Sequence, residues 1–191
     1  EWGESDNKLL AIDGKSGKLK WRKYTQKRFT SPIIGPHGKL YVGSQNKNIY
    51  CIDPKTGETE WWHKTTSVVN SSLTIDYSNK IYSAVGYNDL SKTYIIDGGR
   101  GKIINIYNIG SGTASPILGH KGIVYTPHVD NFLYSLDTKT GTTKWSSKLG
   151  GPITTQPALG DDGTLYVGAL DSIFYAINST TGEISWEYKT G

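Results

Sequence analysis

Apolar and polar residues alternate along this chain in short runs, and each run is broken by Gly, Asn, Asp or Pro. Alternation at period two predicts half-buried strands, and no stretch of ten or more residues carries helical periodicity. The runs themselves repeat. Five segments align: LLAIDGKSGKLKW (9–21), IYCIDPKTGETEW (49–61), TYIIDGGRGKIIN (93–105), LYSLDTKTGTTKW (133–145) and FYAINSTTGEISW (174–186). Their fifth residues are Asp13, Asp53, Asp97, Asp137 and Asn178, spaced by 40, 44, 40 and 41 residues. A second unit recurs between them: SPIIGPHGKLYVGS (31–44), ASPILGHKGIVYTP (114–127) and QPALGDDGTLYVGA (156–169), with a looser copy, NSSLTIDYSNKIYSAVG, at 70–86.

Each period reads as four strands. A short strand leads through a Gly-containing turn into a Leu-Tyr-Val-Gly strand; a third strand ends at the Asp, and a Thr-Gly or Ser-Gly turn leads into a fourth that ends in Trp. The Asp or Asn side chain can accept from backbone amides two residues on. Gly17, Gly57, Gly101, Gly141 and Gly182 can take the positive φ such a hairpin needs. Trp21, Trp61, Trp145 and Trp186 are expected to lie largely buried as plates between adjacent sheets. Four strands in about 40 residues make one blade of a β-propeller. The expected fold is therefore all-β, a propeller of four-stranded antiparallel blades. A partial blade (1–25) precedes four full ones at about 26–65, 66–109, 110–149 and 150–191.

Composition agrees. Tyr (13) and Trp (6) far outnumber Phe (3), and Gly reaches 23, as half-buried strands joined by tight turns require. The one cysteine, Cys51, excludes an internal disulfide and a Cys-rich metal site, and its apolar strand predicts an inert buried thiol. No apolar run approaches the roughly 20 residues that span a bilayer, so direct membrane insertion is not expected. The absence of Met and of a signal pattern predicts a processed or truncated piece, part of a larger propeller whose remaining blades would complete the ring.

Net charge is +4, and residues 1–65 carry all of the excess, with 12 Lys/Arg against 7 Asp/Glu. Alternation of Lys18, Lys20 and Arg22 predicts a charged edge strand rather than a nucleic-acid surface. His37, His63, His120 and His128 are scattered; His120 and His128 bracket one hairpin, and no third metal ligand accompanies them. Gly110-Ser111-Gly112 lacks the following helix that a phosphate loop needs. Asn70-Ser71-Ser72 and Asn178-Ser179-Thr180 fit the glycosylation sequon.

The pattern Leu-Tyr-Ala-(Ile/Leu)-Asp-x-x-Thr-Gly-x-x-x-Trp resembles the repeat of the PQQ-like propeller family, shared by quinone-dependent dehydrogenases and non-catalytic relatives such as the propeller lipoprotein of bacterial outer-membrane assembly. The dehydrogenases pair this fold with a channel calcium site and a catalytic Asp; here the prominent Asp residues all occupy the turn position. The resemblance thus implies a binding scaffold without catalytic residues, cofactor or metal, placed outside the cytoplasm (secreted, periplasmic or at the cell surface). A quinone-dehydrogenase fragment and a lumenal or extracellular sensor domain are the alternatives. The expected partner is a protein, with homo-oligomers through open blade edges as a further option. Loops before the inner strands are the expected contact set: Gln26, Lys27 and Arg28; Thr66 and Ser67; Ser111; and Gly151. The third period departs from the pattern, with Asn105 where Trp is expected and about four extra residues in GYNDLSKTY.

Overall fold

The turn at each Asp or Asn sets the geometry from which the sheets grow. In the computed structural model, which describes residues 7–86, 92–108 and 114–191, the carboxylate of Asp53 accepts from the amides of Lys55 (2.7 Å) and Thr56 (3.2 Å). Asn178 does the same for Thr180 and Thr181 at 2.8 and 3.1 Å. Asp13, Asp97 and Asp137 repeat the arrangement. The amide of the following Gly closes each turn onto the carbonyl of the Asp or Asn at 2.8 Å. At Gly182 this requires φ +79°, a conformation that costs an L-residue about 1–2 kcal/mol.

The strands sort into five antiparallel sheets in chain order. The first holds β1 (Lys8–Ile12) and β2 (Leu19–Tyr24); the second β3 (Ile33–Ile34), β4 (Leu40–Ser44), β5 (Asn48–Ile52) and β6 (Thr59–Lys64). The third holds β7 (Thr74–Ile75), β8 (Lys80–Val85), β9 (Lys92–Asp97) and β10 (Ile103–Tyr107). The fourth holds β11 (Ile117–Leu118), β12 (Ile123–Pro127), β13 (Phe132–Asp137) and β14 (Thr143–Lys148). The fifth holds β15 (Ala158–Leu159), β16 (Thr164–Ala169), β17 (Ile173–Asn178) and β18 (Ile184–Lys189). Each complete sheet is a meander of neighbouring strands. The sole helical element among the described residues is a 3-10 turn, His120–Gly122.

The core lies between sheets, not within them. Tyr41, Ile49 and Cys51 of the second sheet pack on Ile81, Tyr94 and Ile96 of the third, and Leu133 of the fourth meets Leu165, Val167 and Tyr175 of the fifth. A β-bulge in the last hairpin of every sheet, such as that at Cys51/Ile52, brings the fourth-strand Trp opposite the third strand. From there the indoles of the first, second and fourth sheets reach the next sheet. Trp21 donates to the carbonyl of Pro54 (2.9 Å), Trp61 to that of Gly98 (3.0 Å) and Trp145 to that of Ser179 (3.1 Å). The acceptor is always the residue after the turn Asp or Asn. The turn glycine receives the ring: a Cβ on Gly57, Gly101 or Gly182 would stand 2.7 Å from Trp21, Trp61 or Trp145. Glycine is therefore required twice there, for its φ and for the ring above it.

One expectation needs correction. Trp21, Trp61 and Trp145 are half-buried, but Trp186 is 46% exposed, since among the described residues no sheet packs over it as the next sheet packs over the other three. His120 and His128 do not approach each other along their hairpin: strand β12 lies between them, with His120 in the turn before it and His128 just after it. The edge-strand reading of the basic residues agrees with β2, which among the described residues pairs with β1 alone and carries Lys20 and Arg22, Lys20 meeting Asp13 at 2.9 Å. Cys51 is buried, and burial pushes its thiol up to about 12.

Candidate interaction surface

Antiparallel meanders sort their connections to two ends of the molecule. At one end, segments between sheets pair with the loops between second and third strands: Gln45 N–H donates to Arg28 (2.9 Å), Gly86 to Val68 (3.0 Å) and Ile153 to His128 (3.0 Å). At the other end the two short turns join in the third, fourth and fifth sheets, with Gly98 donating to Asn79, Thr138 to Gly122 and Ser179 to Gly163.

The residues singled out in the loops before the inner strands stand at the first end, in different states. Gln26, Lys27 and Arg28 present exposed side chains. Their backbone is held: the carbonyl of Gln26 accepts from Asn7 Nδ2 (3.3 Å), that of Arg28 from Ser44 Oγ (2.9 Å), and Lys27 accepts from Thr25. Beside them a cavity of about 380 Å³ is lined by Asn7, Lys8, Leu9, Arg28, Phe29, Thr30 and Pro32. It is a basic, open groove on a fixed backbone.

Thr66 and the Gly150–Gly151 pair are bound into the scaffold. The amide of Thr66 donates to Tyr94 Oη of the following sheet at 3.0 Å, and that of Gly150 to Tyr175 Oη at 3.1 Å. Gly151 is buried where a side chain would strike Asp171, the residue that in turn accepts from Tyr175. Ser67 is half-buried and its carbonyl accepts from Thr65 Oγ1 at 2.6 Å. Ser111 lies outside the described residues. Of the described members of the loop set, Gln26, Lys27, Arg28 and Thr66 are exposed, Ser67 is half-buried and Gly151 is buried. The third-strand tyrosines that clamp these loops carry no functional signal of their own in the sequence, although Tyr recurs there at Tyr50, Tyr94, Tyr134 and Tyr175. At the first sequon, Asn70 Nδ2, the atom that would carry a glycan, is buried.

At the opposite end two cavities flank the His120–Gly122 turn. One, about 360 Å³, is lined by residues including Asp76, Tyr77, Tyr82, Lys121 and Thr138; the other, about 630 Å³, by residues including Lys121, Tyr125, Lys144, Trp145 and Ser179. The turn carboxylates here are occupied. Backbone amides, with Lys39 near Asp53 and Lys144 near Asp137, hold both groups below the usual carboxylate range. Among the described residues no group of three or more His, Cys, Asp or Glu has metal-holding geometry, and no helix is long and apolar enough to cross a membrane.

Four-stranded sheets, the Asp-to-Gly turn and the indole handed from sheet to sheet define a β-propeller of PQQ-like repeats. The chain matches the family model described as outer membrane protein assembly factor BamB over residues 5–92 and 89–191, and it belongs to that family. Among solved structures it is similar to BamB from Moraxella catarrhalis, with a TM-score of 0.77 at 19% identity over 96% of this chain. The chain spans 58% of that structure's length. No curated protein matches it in sequence.

Proposed function

We propose that this chain is a non-catalytic scaffold acting outside the cytoplasm, in the cell envelope, that binds a protein partner during outer membrane protein assembly. The family match over nearly the whole chain carries this reading. The physical support is the division of labour among side chains. Repeat carboxylates are spent on turns and indoles on joining sheets, which leaves loop side chains to distinguish one blade's surface from another's. Gln26, Lys27 and Arg28, beside the groove that also includes Lys8, suit an acidic or carbonyl-rich segment of the partner.

A photo-crosslinking residue placed at Lys27 in cells tests the reading, with Lys55 at the opposite end as the control. Crosslinks from position 27 to an outer membrane assembly component, lost in a Lys27→Glu/Arg28→Glu variant, are expected. Crosslinks from position 55 alone would move the surface to the other end. Saturable micromolar binding of the quinone cofactor in the presence of calcium would replace the scaffold reading with an enzymatic one.

A further inference from the structure

The bulge that brings each Trp opposite the third strand leaves the residue before it without a cross-strand partner. In the second sheet that residue is Glu60. Its carboxylate accepts from Cys51 Sγ at 3.8 Å and from Lys39, which also stands 3.6 Å from Asp53. Cys51 lies in register between Tyr41 and Trp61. One ammonium here meets two carboxylates, all supplied by the sheet itself.

The fourth sheet keeps this frame and exchanges its charges. Ser135 lies in register between Tyr125 and Trp145, in the place of Cys51, while Lys144 takes the bulge position of Glu60 and Ile123 that of Lys39. The turn carboxylate remains: Asp137 accepts from the amides of Lys139 and Thr140 at 2.9 and 3.2 Å and stands 3.5 Å from Lys144. The space among these groups is the cavity of about 630 Å³, whose lining also includes His120, Lys121 and Ser179. Its far wall, the Ser179 turn, is fixed by the two ring donors on the Ser179 carbonyl. Ser135 is 1% exposed and lines the cavity, and its hydroxyl has no hydrogen-bond partner among the described residues. Lys121, at φ +56°, adds a second ammonium that makes no ion pair among them. Two ammonium groups thus face one carboxylate. One positive charge is left over, beside a buried hydroxyl that lacks an acceptor.

We propose that this cleft between the fourth and fifth sheets binds one carboxylate of an external ligand, in the place that Glu60 fills within the second sheet. Ser135 Oγ donates to it, and Lys144 and Lys121 supply the compensating charge. The carboxylate belongs to an acidic side chain of a bound peptide or to a small free acid. Both walls come from complete four-stranded sheets, so the cleft is formed before the ligand arrives. It opens at the end opposite Gln26–Arg28 and does not rest on the partner taken there.

Titration of the whole isotope-labelled chain, followed by amide chemical shifts, tests this with an acetylated and amidated triglutamate peptide, its triglutamine counterpart and free glutarate. The triglutamate peptide is expected to bind saturably at millimolar concentration or below, with the largest shifts at Ser135, Lys144 and Ser179, and the triglutamine peptide to leave them unmoved. Lys144→Glu places a carboxylate of the chain's own in the cleft, as in the second sheet, and should weaken binding by about tenfold or more. Ser135→Ala should weaken it about tenfold. Lys121→Gln removes the same charge if Lys144→Glu fails a circular-dichroism check of folding. Glutarate binding as well as the peptide supports the site and assigns it to small acids; weaker glutarate binding supports it and assigns it to an acidic segment. No saturable shift with either acidic probe, equal binding of triglutamine, or folded charge variants that bind like the wild type would each overturn the proposal.

Discussion

Trp145 and Trp186 hold the same position of the repeat in different surroundings, so the same substitution should cost different amounts. The Trp145 ring is half-buried, lies over Gly182, stacks with Tyr125 and donates to Ser179 O. Removing roughly 150 Å² of aromatic surface from such a site forfeits about 4 kcal/mol at ~25 cal/mol per Å². The lost hydrogen bond adds about 1 kcal/mol, and collapse of Tyr125 into the gap returns part of the total. Trp145→Ala should therefore cost about 3–5 kcal/mol. Among the described residues no sheet lies in front of Trp186, which is 46% exposed and has ring contacts with Tyr166 and Phe174. Trp186→Ala should cost about 1 kcal/mol. Urea unfolding followed by far-UV circular dichroism measures both. Equal losses would show that the indole acts within its own sheet, and the sheet-to-sheet account of stability would fall.

Gly182→Ala forces a Cβ to within 2.7 Å of Trp145 at φ +79°, whereas Gly17→Ala meets only the φ penalty; chemical denaturation should give about 2–4 kcal/mol for the first and about 1 for the second. In the third sheet Tyr107 occupies the space over Gly141 that an indole fills elsewhere, so Tyr107→Ala should lower stability by about 2–3 kcal/mol and exposed Asn105→Ala by under about 1. Asp53 and Asp137 have carboxyls depressed chiefly by the amides they accept, so their stabilisation is present above the unfolded pKa near 4 and is lost as pH falls through the depressed values. The melting temperature should fall more steeply below about pH 4, and an Asp53→Asn/Asp137→Asn variant should flatten that fall, because Asn178 caps its turn with an amide.

The repeat was legible in the sequence because its turn is local chemistry. Asp, Gly and a following strand specify the hairpin within a few residues, so strand order, the sheets and the capping carboxylates follow from the pattern. Contacts between sheets depend on a tertiary angle, which the pattern carries only in part. The repeat assigns Trp186 the burial of its counterparts, although burial belongs to a pair of sheets. Thr66 and Gly151 read as free loop residues because the tyrosine hydroxyl that binds the Thr66 amide and the Asp171 that packs against Gly151 lie 28 and 20 residues downstream. Gln26, Lys27 and Arg28 remained outward, as expected of charged and polar side chains whose loop backbone is already satisfied.

At the second-to-third and fourth-to-fifth junctions a second-strand tyrosine and the indole donate to one carbonyl of the next sheet, Gly98 O and Ser179 O respectively; at the third-to-fourth junction this two-donor joint has been replaced. Asp76 stands where the other complete sheets have Gly35, Gly119 and Gly160. At Gly35 and Gly119 the second-strand tyrosine ring presses within 2.6 and 2.5 Å of the Cβ position, so a side chain there displaces the ring. Tyr82 accordingly donates to Asp76 Oδ2 at 2.8 Å, while Tyr41 and Tyr125 donate to carbonyls of the next sheet. The indole is missing from the same junction, and Tyr107, two residues along from Asn105, takes its place over Gly141. Compensation comes at the inner strands, where Ser72 N–H donates to Ser115 Oγ at 2.9 Å and Thr74 Oγ1 donates to Pro116. Both members of the joint have thus changed together in the sheet that departs from the repeat. The junction is held by Tyr82, Ile95 and Tyr107 packed with Val124 and Leu118, with the polar contacts of Ser72 and Thr74 added at the inner strands.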